Sequence, residues 1–249
     1  MARVTDFSRF RPSDTNIDFA YDVTDKKHPY IDSRSPSGKD RSKKRIITNI
    51  FHGCIAQAAV VEVLNLHGAK RVEMYDEVRT DSFKDPDPWD IRACTSTPTP
   101  FKKESANPER DGSDWTVHIE VRSSYTQKKC LSKKEKRKRL ACIQNKYRLI
   151  SGYSTAAKPG EKPKDLFFQV YWLYSQKKAE QLLANYHDNK RDFAQQCPEK
   201  VRKCFVVGFS TPRQLGVDGH DTSLGQQGAS YRCVGIDQAK PVSNLSRFF

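Results

Sequence analysis

The run Asp165-Leu-Phe-Phe-Gln-Val-Tyr-Trp-Leu-Tyr174 is the most apolar stretch of the 249-residue chain. It is short, β-branched and aromatic, which predicts a central strand. Such a strand must be covered on both faces, so the remaining elements have to supply layers against it.

Those elements can be read in order. Between Lys43 and His67, Ile47, Ile50, Phe51, Cys54, Ala58 and Val61 fall at three- and four-residue spacing, which predicts an amphipathic helix ended by Gly68. Arg71–Tyr75 reads as a strand, Asp85–Pro88 as a turn, and Trp89–Ala93 as a second strand. From Trp115 to Ser123, Val117, Ile119 and Val121 alternate with His118, Glu120 and Arg122, a clear strand period. Ser132 and Glu135 have capping-box spacing and predict a helix to about Ile150, with Leu140, Ile143, Tyr147 and Ile150 as its buried stripe and Gly152 past its end. A helix over Ser175–His187 and a strand over Lys203–Phe209 follow.

We expect one domain: an irregular arm over 1–42, a core over 43–174 interrupted by a polar surface loop at 95–114, and a helix, strand and irregular tail over 175–249. Lys158–Lys164 reads as a Pro/Gly linker, and there is no internal repeat.

The formal net charge is +14, which points to a strongly anionic partner: nucleic acid first, anionic membrane second. No apolar run approaches the roughly 18 residues that span a bilayer, and Met1–Arg11 has no apolar centre, so a cytoplasmic protein without membrane contact is expected. The seven cysteines contain no closely spaced pair, which argues against zinc and for reduced thiols.

Two carboxylates carry the chemical reading. Asp90 lies in Pro88-Trp-Asp-Ile91 and Glu120 in Trp115–Ser124, each on or beside a strand. Brought together at strand ends, they would hold a hard divalent cation such as Mg²⁺ against a phosphodiester, because such ions take oxygen ligands and leave positions for water and phosphate.

The order helix, three strands, helix, strand, with Asp90-Ile91 followed by Glu120-Val121-Arg122, resembles the PD-(D/E)XK nuclease superfamily across about Lys43–Tyr174. The resemblance implies an α/β, restriction-endonuclease-like core, a mixed central sheet flanked by helices (αβββαβ) with irregular extensions at both ends. It also implies Asp90, Glu120 and the Val121 carbonyl as ligands of Mg²⁺, for which Mn²⁺ can substitute. Arg122 stands where the family has Lys; a guanidinium is a poor base but can hold a phosphate oxygen. Gln57 occupies the place of a glutamate on the family's first helix and would orient a water.

The second feature is basic. Thr126–Leu149 contains ten Lys or Arg and one acid, Glu135. Lys128, Lys129, Lys133, Lys134, Lys136, Arg137, Lys138 and Arg139 are expected to contact DNA phosphates, with Ser123 and Ser124 beside them. The leading expectation is a Mg²⁺-dependent DNA endonuclease, restriction-type and homodimeric. The alternatives are a catalytically weakened nuclease-fold module that only binds nucleic acid, and a basic packaging protein.

Overall fold

The long helix α2 (Lys43–Leu66) starts at Ser42, whose side chain accepts a hydrogen bond from the Arg45 amide. Phe51, Ile55, Ala59, Val60 and Leu64 are fully buried along it, and the small residues Ala56, Ala58 and Ala59 allow close packing. The computed structural model describes residues 3–33, 40–99, 109–132, 134–153, 162–183, 203–223 and 230–249.

The central sheet is mixed. Its strands are β1 (Ser8–Phe10), β2 (Lys70–Met74), β3 (Ile91–Thr95), β4 (Arg110–Asp111), β5 (Asp114–Tyr125), β7 (Leu166–Trp172) and β8 (Cys204–Ser210), in the order β1-β8-β7-β5-β3-β2 with β4 hairpinned onto β5. All neighbours are antiparallel except β5 and β7, which run parallel with Ile119 opposite Leu166. A parallel pair needs a crossover. The chain makes it through α4 (Lys128–Leu131), α5 (Lys136–Lys146) and β6 (Arg148–Tyr153).

Alternation divides the sheet into two faces. Val117, Ile119, Phe168, Val170, Trp172, Val206 and Phe209 share one core with α2 and with α1 (Asp14–Lys27). Tyr171, Phe205 and Val207 turn the other way and pack with Leu140 and Ile143 of α5, Leu149, and Val234. The second cover is a three-stranded sheet of β6, β10 (Tyr231–Gly235) and β9 (His220–Thr222). Short helices α3 (Tyr75–Val78), α6 (Gln176–Leu183) and α7 (Pro212–Asp218) complete the described elements with three 3₁₀ turns. The class is therefore α/β, with helices flanking a mixed sheet.

Several expectations are corrected. The 1–42 arm contains an ordered helix and an edge strand: Ser13 caps α1, whose Ile17, Ala20, Tyr21 and Val23 are buried, and β1 pairs with β8. The basic helix does not run from Ser132 to Ile150. Ser132 ends α4, α5 begins after Glu135 without a side-chain cap, and Leu149 and Ile150 belong to β6, because pairing with β10 outweighs their helical spacing. Cys130 and Cys142 form a disulfide, so these two thiols are not reduced, and the bond draws α4 and α5 together. The tail beyond Thr211 supplies β9 and β10. Finally, α2 is long and apolar enough to cross a membrane by length and composition, contrary to the expectation, although most of it is buried inside this fold. The expected helix beyond Leu183, part of the 95–114 loop, part of the 158–164 linker and Lys133 lie outside the described residues.

Candidate active site

Asp90 is the residue just before β3. Its carbonyl accepts from the Tyr75 amide at 3.0 Å and its amide donates to the Ile119 carbonyl at 3.2 Å. Ile91 pairs with Ile119, so one further step along the antiparallel register sets Asp90 beside Glu120. The Asp90 side chain is held there directly, since Oδ2 accepts from the Val121 amide at 2.7 Å. Glu120 lies on the face opposite the α2 core, and Arg122, two residues on, shares that face. Arg122 Nη2 is 2.7 Å from Glu120 Oε1, with the Glu120 side chain mostly buried and that of Arg122 about a third exposed.

This placement perturbs Asp90. Its pKa is pushed up to about 8, first by burial of the carboxyl and then by the Glu120 charge; the Val121 hydrogen bond and the Arg122 charge act in the opposite direction. Asp90 retains some solvent contact as a residue, yet its carboxyl is enclosed by protein. Near neutral pH it holds a proton for much of the time.

Among the described residues no three His, Cys, Asp or Glu side chains converge, so a cation here would find the two carboxylates of Asp90 and Glu120 and would need water, a carbonyl such as that of Val121, or a phosphate to complete its shell. Gln57 lies on α2, against the sheet face opposite Glu120, so the structure does not bring it to the carboxylate pair; its Oε1 is buried without a hydrogen bond among the described residues, which costs about 1–3 kcal/mol.

Ser124 lies on the Glu120 face, where its Oγ accepts from Gln169 Nε2 at 3.2 Å. Ser123 alternates to the α2 face, so the structure brings only one of the two serines to the site. Gln169 is a satisfied buried amide: its Oε1 accepts from the Ile150 amide at 3.2 Å, tying β6 to β7. His118 is buried, with Nε2 3.4 Å from Glu109 and its ring stacked on Trp89.

The sequence reading missed the frame that holds Asp90. Lys27 Nζ bonds Asp76 at 3.0 Å and Asp87 at 2.6 Å. Arg79, almost wholly buried, bonds Asp76 at 2.9 Å, Asp81 at 2.7 Å and Asp87 at 2.7 Å, with Phe83 beneath its guanidinium. From the other side Lys164 Nζ and the Lys162 amide both donate to the Pro88 carbonyl, at 2.7 and 3.0 Å. The segment leading to Asp90 is therefore fixed at both Asp87 and Pro88. The signal available in the sequence was the density of acids from Asp76 to Asp87 around one Arg, which reads equally well as a solvated turn.

Of the basic segment, Lys128, Lys134, Lys136, Arg137 and Lys138 are exposed and Arg139 is half-buried; the Lys129 side chain and Lys133 lie outside the described residues. Lys136 Nζ sits 5.1 Å from the Phe205 ring centroid. Phe205 is on the same sheet face as Glu120, two strands away through Tyr171. No family model, curated protein or solved structure matches this chain.

Proposed function

We propose that the protein is a divalent-metal-dependent deoxyribonuclease of the PD-(D/E)XK type, hydrolysing a phosphodiester by in-line attack of water to leave a 5′-phosphate and a 3′-hydroxyl. The observation that carries this reading is the Asp90–Glu120 carboxylate pair, the residue just before β3 set beside one on β5, with Arg122 on Glu120. Two carboxylates at one point of a sheet can serve one hard cation. The strand sequence β2-β3-β5, antiparallel and preceded by α2, then a helical crossover to the parallel β7, supports a restriction-endonuclease-like core.

In this reading Asp90, Glu120 and the Val121 carbonyl would hold Mg²⁺ or Mn²⁺, which supplies Lewis acidity and a more acidic water. The chain does the rest. The Val121 amide orients the Asp90 carboxylate, and loading the site displaces the Asp90 proton. Arg122 is near enough to exchange Glu120 for a non-bridging phosphate oxygen and offset charge that develops as the water adds. Basic side chains of α4 and α5 hold the DNA backbone, and a homodimer would present two such sites to the two strands.

The Arg122–Glu120 ion pair also favours a second reading, in which the guanidinium neutralises the metal carboxylate and the fold binds DNA with little catalysis. Incubation of supercoiled plasmid with Mg²⁺, with EDTA, and with the Glu120→Gln variant decides between them. Cleavage by the parent with Mg²⁺ alone is the expected result. Intact plasmid under every condition, together with retained DNA binding, would overturn the nuclease reading in favour of the binding module.

A further inference from the structure

In the antiparallel ladder of β1 and β8, Arg9 stands directly opposite Phe205. Directly opposed residues share a sheet face. The exposed Arg9 side chain therefore leaves the sheet on the side where Phe205 packs, while its neighbour Phe10 enters the α2 core. The Phe205 ring carries Lys136 Nζ at 5.1 Å. Arg11, just past the end of β1, is exposed, and its charge reaches Lys136. Burial, then the charges of Arg9 and Arg11, lower the pKa of Lys136, as three gathered cations should.

Segments from distant parts of the sequence thus gather positive charge on one aromatic platform. The first turn of α5 adds Arg137, Lys138 and Arg139, of which Lys138 is paired with Glu135 at 3.0 Å just before the helix. Lys136 makes no ion pair among the described residues. Gathering like charges is unfavourable, and a polyanion with regularly spaced charges relieves it. Among the described residues the large exposed hydrophobic side chains are Tyr30, Leu66, Val78 and Val217, none of them in β1 or α5.

We propose that Arg9, Arg11 and Lys136, organised around Phe205, form a contact surface for the phosphate backbone of duplex DNA. The inference rests on the nuclease reading in one respect, that duplex DNA is the ligand; the N-terminal segment then becomes part of the binding surface.

The test uses the full-length protein with Arg9, Arg11 and Lys136 all changed to Gln. All three are exposed, and a thermal melt checks that the fold survives. A control triple of Lys177, Lys178 and Arg247 to Gln makes the same change in net charge on the α2 side of the sheet. Affinity for a short mixed-sequence duplex is measured in EDTA across a salt series. The patch variant should bind on the order of tenfold or more weakly at moderate salt and lose roughly 2–3 from the slope of log K against log salt, about 0.9 per contact. The control should move neither. Equal behaviour of the two triples, or no duplex binding by the parent, would overturn the proposal. Plasmid cleavage is scored separately: binding lost through the patch with no Mg²⁺-dependent cleavage by the parent defeats the nuclease reading and leaves the surface standing.

Discussion

Arg122 Nη2 lies 2.7 Å from Glu120 Oε1, and both side chains leave the same face of β5. A guanidinium in this position keeps its proton, so its value to catalysis is electrostatic. Arg122→Lys should keep measurable plasmid cleavage, because an ammonium serves the same oxygen. Arg122→Ala should lose on the order of 100-fold in rate. Cleavage by the Ala variant at the parental rate would show that Arg122 plays no part in the chemistry.

The Asp90 carboxyl gives a stability prediction in the absence of metal. Its folded pKa, about 8, lies above the ordinary aspartate value, so the folded state binds more protons between those limits. Stability from this group is complete below the unfolded pKa and is lost as pH rises through the folded one. In EDTA the parent should lose about 1–3 kcal/mol between about pH 4 and 8 that Asp90→Asn does not lose, the range allowing for residual solvent contact. Urea unfolding of both proteins across that pH range checks it. Parallel curves would mean that the carboxyl ionises freely in the fold.

Arg79 is the single cation joining Asp76, Asp81 and Asp87 from within, with Lys27 as the only other cation bonded to Asp76 and Asp87 among the described contacts. Removing it leaves buried carboxylates uncompensated. Arg79→Ala should destabilise the protein by about 3–5 kcal/mol. Since Asp87 is three residues from Asp90, cleavage should fall further than the unfolded fraction explains. A chemical-denaturation midpoint within error of the parent's would remove Arg79 from the frame.

Local periodicity exposed what local forces decide. The 3.6-residue repeat from Ile47 to Val61 gave α2, the two-residue repeat from Val117 to Val121 gave β5, and the apolar run gave β7, each within a few residues of its observed bounds. Asp90 and Glu120 were legible as a pair because each is anchored to a strand whose register the apolar neighbours set. Long-range pairing hid the rest. In α1 the buried stripe of Ile17, Ala20, Tyr21 and Val23 is diluted by aspartates, and β1 is a three-residue strand that exists only because β8 offers an edge. Ile150 kept helical spacing with Ile143 yet pairs with Cys233 across a sheet closed by the tail. The Lys27–Asp76–Arg79–Asp87 network joins two segments about 50 residues apart, a distance no local pattern reports.

The Cys130–Cys142 bond encloses the segment that carries Lys134, Lys136, Arg137, Lys138 and Arg139. Closing a loop of this separation, 12 residues, restricts the unfolded chain by about 3 kcal/mol in the loop-entropy account. A dithiol reductant, or Cys130→Ser with Cys142→Ser, should lower the melting temperature by several degrees and loosen α4 against α5 in amide exchange. An unchanged melt on verified reduction would show that the link restrains nothing the packing of Leu140 and Ile143 does not already hold.

His52 provides the acid-side counterpart to Asp90. It is buried in α2, with Nδ1 2.8 Å from the Thr48 carbonyl oxygen and Nε2 2.8 Å from the Tyr174 hydroxyl, and its ring meets Trp172 edge-on. Burial lowers its pKa to about 4, against a lesser rise from the Thr48 carbonyl. The unfolded chain therefore binds more protons than the folded one between about pH 6.5 and 4, and stability falls as pH falls through that window. The loss attributable to His52 approaches about 3 kcal/mol at the lower end. His52→Gln retains hydrogen-bonding atoms but cannot titrate, so it should be less stable than the parent at pH 7, where packing dominates, and lose less between pH 6.5 and 4. Denaturant midpoints at a series of pH values separate the two effects: a constant gap between parent and variant across the window would place the His52 proton in the folded state and contradict its burial as the neutral ring.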